Sequence, residues 1–169
     1  NYVLVNLNGL VKKGTDGKLT FTGVSLPEGK KPLILSQDDV SYYEYMDNSG
    51  FPSKLIVDKQ NQIKNIYIEN KKETVGDYDM VPLIDSFIKK HPDFSYQGAK
   101  GTLALTGYNG VLGYRTSKSE YGDNEKTNKE IEAAKKVADQ LKKDGWSFAS
   151  HTWGHLNMTH ASLADIQQD

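Results

Sequence analysis

The chain has no cysteine, a single arginine (Arg115) and no apolar run of membrane-spanning length. The missing cysteine excludes disulfides and thiolate metal sites, so any bound metal must be held by nitrogen and oxygen ligands. Lysine supplies nearly all of the positive charge. With a net charge of −1, no basic face is expected for nucleic acid or an anionic membrane. The lack of a long apolar stretch means no transmembrane segment is expected. Glycines are not arranged for nucleotides either: Gly107 to Gly113 lacks the lysine of a phosphate-binding loop and the dinucleotide spacing.

What remains fits a globular chain of 169 residues, 37% apolar and 25% charged, enough for one domain with its own core. Tyr2 to Val5 and Lys18 to Val24 read as β-prone runs with turn chemistry at Thr15-Asp16-Gly17 between them. Residues 1–30 form an N-terminal β segment in this reading. Leu33-Ile34-Leu35 is short and wholly apolar, the pattern of a strand buried on both faces. It runs into Ser36-Gln37-Asp38-Asp39. A hairpin is expected over Lys54–Val57 and Ile63–Ile68, and a helix over Met80–Lys90 capped by Asp79. In that helix Ile84, Phe87 and Ile88 share a face.

Thr102–Leu105 is a further strand. Thr127-Asn128-Lys129-Glu130 reads as a capping box opening a helix from Asn128 to Asp144, with Ile131, Ala134, Val137, Ala138 and Leu141 as its buried stripe. Trp146–Ala149 is the next strand and ends in Ser150-His151-Thr152-Trp153-Gly154-His155. Ser162 to Asp165 starts a helix that the chain end cuts short. This order of elements is α/β.

Two strands therefore end in ionisable clusters, where α/β folds gather their chemistry. Histidines four apart on one face of a helical turn can share an ion. Adjacent carboxylates repel when buried unless a cation compensates. One aspartate with His151 and His155 makes an open three-ligand site, and the other aspartate is free to act as a base. That is the layout of metal-assisted hydrolysis. His91, His160 and Arg115 read as structural or solvated, and Trp153 as core. Tyr42, Tyr43 and Tyr45 are either core or sugar-facing.

These residues resemble the first two motifs of the polysaccharide deacetylase family (the NodB homology domain, carbohydrate esterase family 4). Lys31 to Asp39 is similar to the strand and T-F-D-D-G motif, with Gln37 in place of the aromatic and Val40 in place of the glycine. Ser150 to His155 is similar to H-[ST]-x-x-H. The resemblance implies an α/β fold of a distorted, incomplete (β/α) barrel type, spanning residues 31–169 with an insertion at about 42–100 and cut at the C-terminus. It implies Asp38 as catalytic base and Asp39, His151 and His155 as ligands of a divalent metal: zinc first, cobalt or nickel next. It further implies an acetylated polysaccharide as partner and export to the cell envelope or beyond. An arginine and an acidic histidine of later motifs would lie past Asp169. The alternative is a catalytically inactive relative that binds glycan, and a phosphatase-like metal hydrolase is a further rival.

Overall fold

The computed structural model describes residues 1–169. The chain opens with β1 (Tyr2–Leu4), then a small hairpin of β2 (Val11–Lys13) and β3 (Leu19–Phe21). The Asp16-Gly17 turn closes this hairpin. β1 is not its partner but pairs in parallel with β4 (Lys31–Leu33). Val3, Leu4 and Val5 are buried, so the first strand belongs to the main body.

After β4 the chain switches partners. Leu33 O accepts from Val5 N on one side, and Leu35 O accepts from Thr102 N on the other (both 2.9 Å). The short β5 (Ser36–Gln37) thus joins a three-stranded parallel sheet with β9 (Thr102–Leu105) in the centre and β10 (Ser147–Ser150) on its far side. The Leu33–Leu35 run is not buried on both faces, because Ile34 falls at the switch point and is exposed.

Between β5 and β9 lies an antiparallel meander, β6 (Lys54–Val57), β7 (Ile63–Glu69) and β8 (Lys72–Gly76), followed by α1 (Met80–Lys90). β8 was not anticipated. Its turn is Asn70-Lys71, both with positive φ, as a two-residue hairpin turn of the primed type demands. A short α2 (Lys118–Tyr121) leads to α3 (Glu125–Lys143), and α4 (Leu163–Gln168) ends the chain. α3 begins earlier than the Thr127 box implied, because Asn124 accepts from Thr127 N and is the actual cap. α4 carries the reciprocal Ser162–Asp165 capping box.

One core joins the parts. Leu141, Val137 and Ala134 of α3 meet Leu55 of β6, Ile63 of β7, Val81 of α1 and Leu103 of β9. The 42–100 stretch is thus built into the core rather than hung from it. The expected (β/α) barrel is not formed. The parallel strands fall into one sheet of two and one of three, the antiparallel meander makes a separate sheet, and β1 and β10 do not pair to close a ring. Barrel closure needs a staggered continuous ladder, and strands of two to four residues with a partner switch at Leu33–Leu35 do not supply one. No helix is long and apolar enough to cross a membrane.

Candidate metal centre

β5 and β10 flank β9, so their carboxyl ends stand two strand spacings apart, about 10 Å between backbones. Side chains from each end lean inward over the end of β9. Asp39 follows β5 and His151 follows β10, and the structure brings both together with His155. His155 Nε2 lies 3.6 Å and His151 Nε2 3.9 Å from Asp39 Oδ1, and one ligand atom from each residue lies within 4.8 Å of the others. In a tetrahedral site with bonds of 2.0–2.1 Å, neighbouring ligand atoms are about 3.3 Å apart. Small movements of the side chains would close this set around a divalent ion. Two imidazoles and one carboxylate also suit zinc, cobalt or nickel and leave positions open. The three groups are partly solvated, Asp39 at 39% and His155 at 50% of side-chain exposure, so an ion and a ligand can reach them.

The Asp39 side is heavily supported. Asp39 itself is left-handed (φ 57°), a strained turn that asparagine and aspartate tolerate best. The next residues, Val40 to Tyr43, are buried. Their backbone is clamped by the Gly-rich loop: Leu112 N donates to Val40 O (3.0 Å) and Gly113 N to Ser41 O (3.1 Å). Gly113 must lack a side chain there, since a Cβ would sit 2.1 Å from that of Lys54. The Arg115 guanidinium donates to Tyr42 O (2.7 Å) and Asn109 O (2.8 Å), tying the same two loops.

A hydroxyl chain finishes this support. Tyr43 OH donates to Asp39 Oδ1 (2.7 Å), the oxygen that faces both imidazoles. An ionised carboxylate only accepts, so the Tyr43 proton points to it and the Tyr43 oxygen accepts from Thr106 Oγ1 (2.8 Å). Thr106 then accepts from Ser41 Oγ (2.9 Å). Burial, with the Asp39 carboxylate adding to it against the Thr106 bond, raises the Tyr43 phenol above its ordinary pKa and keeps it a donor. Such a partner fixes the orientation of a ligand. Neither Thr106 nor Ser41 was foreseen; only the spacing of Tyr43 from Asp39 carries any signal in the sequence.

The histidine side is built differently. Residues 151–155 are not a helical turn; Thr152 and His155 are left-handed (φ 66° and 56°). The backbone is spent on neighbours: His151 N donates to Leu105 O, Trp153 O accepts from Gly107 N and Tyr108 N, and both Trp153 N and Gly154 N donate to the Asp169 carboxylate. The rings still come within 5.0 Å of each other. Trp153, expected in the core, is 42% exposed.

Asp38 is exposed and lines a cleft of about 290 Å³ with Tyr42, Tyr45, Phe51 and Asp79. Of the three tyrosines, Tyr42 and Tyr43 are buried and Tyr45 is exposed, its ring stacked on Tyr43 at 5.3 Å. His91 caps the end of α1 against the Phe87 ring, and His160 stands exposed outside the cluster. Comparison of the chain with protein-family profiles, curated proteins and solved structures finds no match.

Proposed function

We propose that this chain is a metal-dependent hydrolase that removes acetyl groups from a polysaccharide. The observation that carries the reading is the meeting of Asp39, His151 and His155 over one sheet end, from strands far apart in sequence. When bound, a divalent ion supplies Lewis acidity, polarising the acetyl carbonyl and acidifying water. In this reading Asp38, next to a ligand but outside the ligand set, takes the proton of the attacking water. Tyr43 holds Asp39 in place while this happens. A cell-envelope or extracellular setting is what the family resemblance implies for such an enzyme.

The test combines metal binding with acetate release. Zinc should bind to the chelator-treated protein and restore release of acetate from an acetylated N-acetylglucosamine-type glycan. Asp38→Asn should bind zinc like the wild type and release no acetate, because an amide accepts no proton at neutral pH. Equal turnover by Asp38→Asn and wild type would remove Asp38 from the role of base.

One observation favours the second reading, a glycan-binding relative without turnover. Asp38 makes no hydrogen bond that would aim it, and the guanidinium of Arg115 is committed to Tyr42 and Asn109. Zinc and glycan binding without acetate release would select that reading.

A further inference from the structure

Trp153 is a large aromatic side chain held rigid yet left in solvent. Its backbone oxygen accepts from Gly107 N and Tyr108 N (2.9 and 3.0 Å), and its backbone N–H donates to the Asp169 carboxylate (2.9 Å). The indole lies directly on the chain at Gly107, where a Cβ would meet Trp153 Cδ1 at 2.3 Å, and the Tyr108 ring stands edge-on to it at 6.3 Å. Burying such a ring contributes stability, so a fixed but exposed indole forgoes it. The other tryptophan, Trp146, does what core packing requires and is 3% exposed.

Trp153 and Tyr108 line a cleft of about 640 Å³ together with Ser119, Glu120, Asp165 and Gln168. That volume lies within the range of ligand sites, about 300–1,000 Å³. Asp165 is occupied with Ser162, and Asp169 with the Trp153 and Gly154 amides, whereas Glu120 and Gln168 make no side-chain hydrogen bond within the chain. An aromatic platform beside open carboxylate and amide groups suits a sugar: the apolar ring face stacks, and the hydroxyls find acceptors and a donor. No lysine or arginine lines the cleft, so uronate or phosphate groups would meet only like charge. Trp153 sits between the candidate ligands His151 and His155, which puts the cleft beside the metal centre.

We propose that the Trp153–Tyr108 cleft is a glycan subsite flanking the metal centre, taking a neutral or amino-bearing pyranose and rejecting anionic ones. Its substrate class rests on the hydrolase reading; its geometry does not.

Because Trp146 is buried, the Trp153 indole reports on the cleft by its own fluorescence. The chain is titrated with the tetramer of N-acetylglucosamine, with zinc and again after chelation, and with tetragalacturonate. The expected result is a saturable emission change with the neutral tetramer, retained without metal, and none with tetragalacturonate. By calorimetry, Trp153→Ala should weaken neutral-tetramer binding by at least about tenfold, the scale of a lost aromatic anchor. Glu120→Gln with Gln168→Ala, which leaves the aromatic pair and the candidate metal ligands untouched, should weaken it several-fold while zinc affinity stays at the wild-type value. No binding by fluorescence and calorimetry, equal binding of tetragalacturonate, or unchanged affinity in both variants would overturn the subsite. Binding without acetate release supports the subsite and counts against the hydrolase. Acetate release with unchanged affinity in both variants does the reverse.

Discussion

The two arms of the candidate centre are built to different standards. The aspartate arm grows out of the core: Val40 to Tyr43 are buried, and three hydroxyls in series end on Asp39. The histidine arm runs nearer the surface, with His155 exposed, His151 half-buried and a backbone held by bonds to loops and to Asp169. The difference teaches where precision comes from. The Asp39 carboxylate is oriented by a side-chain hydrogen bond from Tyr43, whereas neither imidazole makes a side-chain hydrogen bond within the chain.

The largest effect comes from removing a ligand on either arm. His155→Ala and Asp39→Asn should each weaken zinc binding by more than about 100-fold, beyond the range for supporting residues. Competition against a chromogenic chelator measures this. Wild-type affinity in either variant would mean that the three residues do not form one site. The contrast between the arms is then visible in hydrogen exchange. Zinc at a hundred times its Kd should slow the amides of His151, Trp153 and Gly154 by up to about 100-fold, through linkage to local opening. Without zinc these amides should already exchange faster than those of Val40 and Ser41, which lie in the core and open only with it. Equal zinc-free exchange on both arms would break the comparison.

Next in size is Tyr43→Phe. It keeps the buried ring but removes the hydroxyl that orients Asp39, so zinc affinity should fall about 10–100-fold. It also leaves the buried Thr106 Oγ1 with Ser41 Oγ as its remaining side-chain partner, at a stability cost of about 1 kcal/mol for the lost hydrogen bond. The affinity loss should exceed any change caused by Asp169→Asn on the histidine arm. The latter keeps an acceptor for one amide and touches no ligand side chain.

The sequence was most legible where periodicity and caps are strong. α1, the Lys54–Ile68 hairpin and β9 stand where the pattern places them, and the capping box at Ser162 is present. The three residues that converge, Asp39, His151 and His155, could be named because both clusters close short strands. The fold type was misread because a shared strand order does not require closure, and strand lengths and the partner switch decide that. β8 was hidden because lysine, not glycine, fills the second position of its turn. Trp153 was placed in the core because its residue type usually is. Its position is set by the bare backbone at Gly107, on which the indole lies, and by the Asp169 carboxylate that takes its amide, both distant in sequence.

Asp79 gives the smallest effect and tests what the rigid arm costs. The sequence made it the cap of α1, but its side chain makes no cap bond. It accepts instead from Tyr42 OH, and Asn65 holds the junction by accepting from Tyr78 N (3.0 Å) and Asp79 N (3.1 Å). Burial raises the Asp79 pKa above its ordinary value, against the opposing bonds from Tyr42 and Asn65. The native chain therefore keeps this proton at a pH where the unfolded chain, with a pKa of about 3.9, has lost it. Its contribution to stability is fully present below that value and is lost as pH rises through the native pKa. Asparagine cannot titrate and still offers an oxygen to Tyr42. Asp79→Asn should therefore gain stability relative to wild type between about pH 4 and pH 7, read from urea midpoints at both ends. Zinc affinity should not change, because the hydroxyl on Asp39 belongs to Tyr43 and not to Tyr42. A stability difference that stays constant with pH would show that the carboxyl is not strained, and that the aspartate arm is supported without a buried charge working against it.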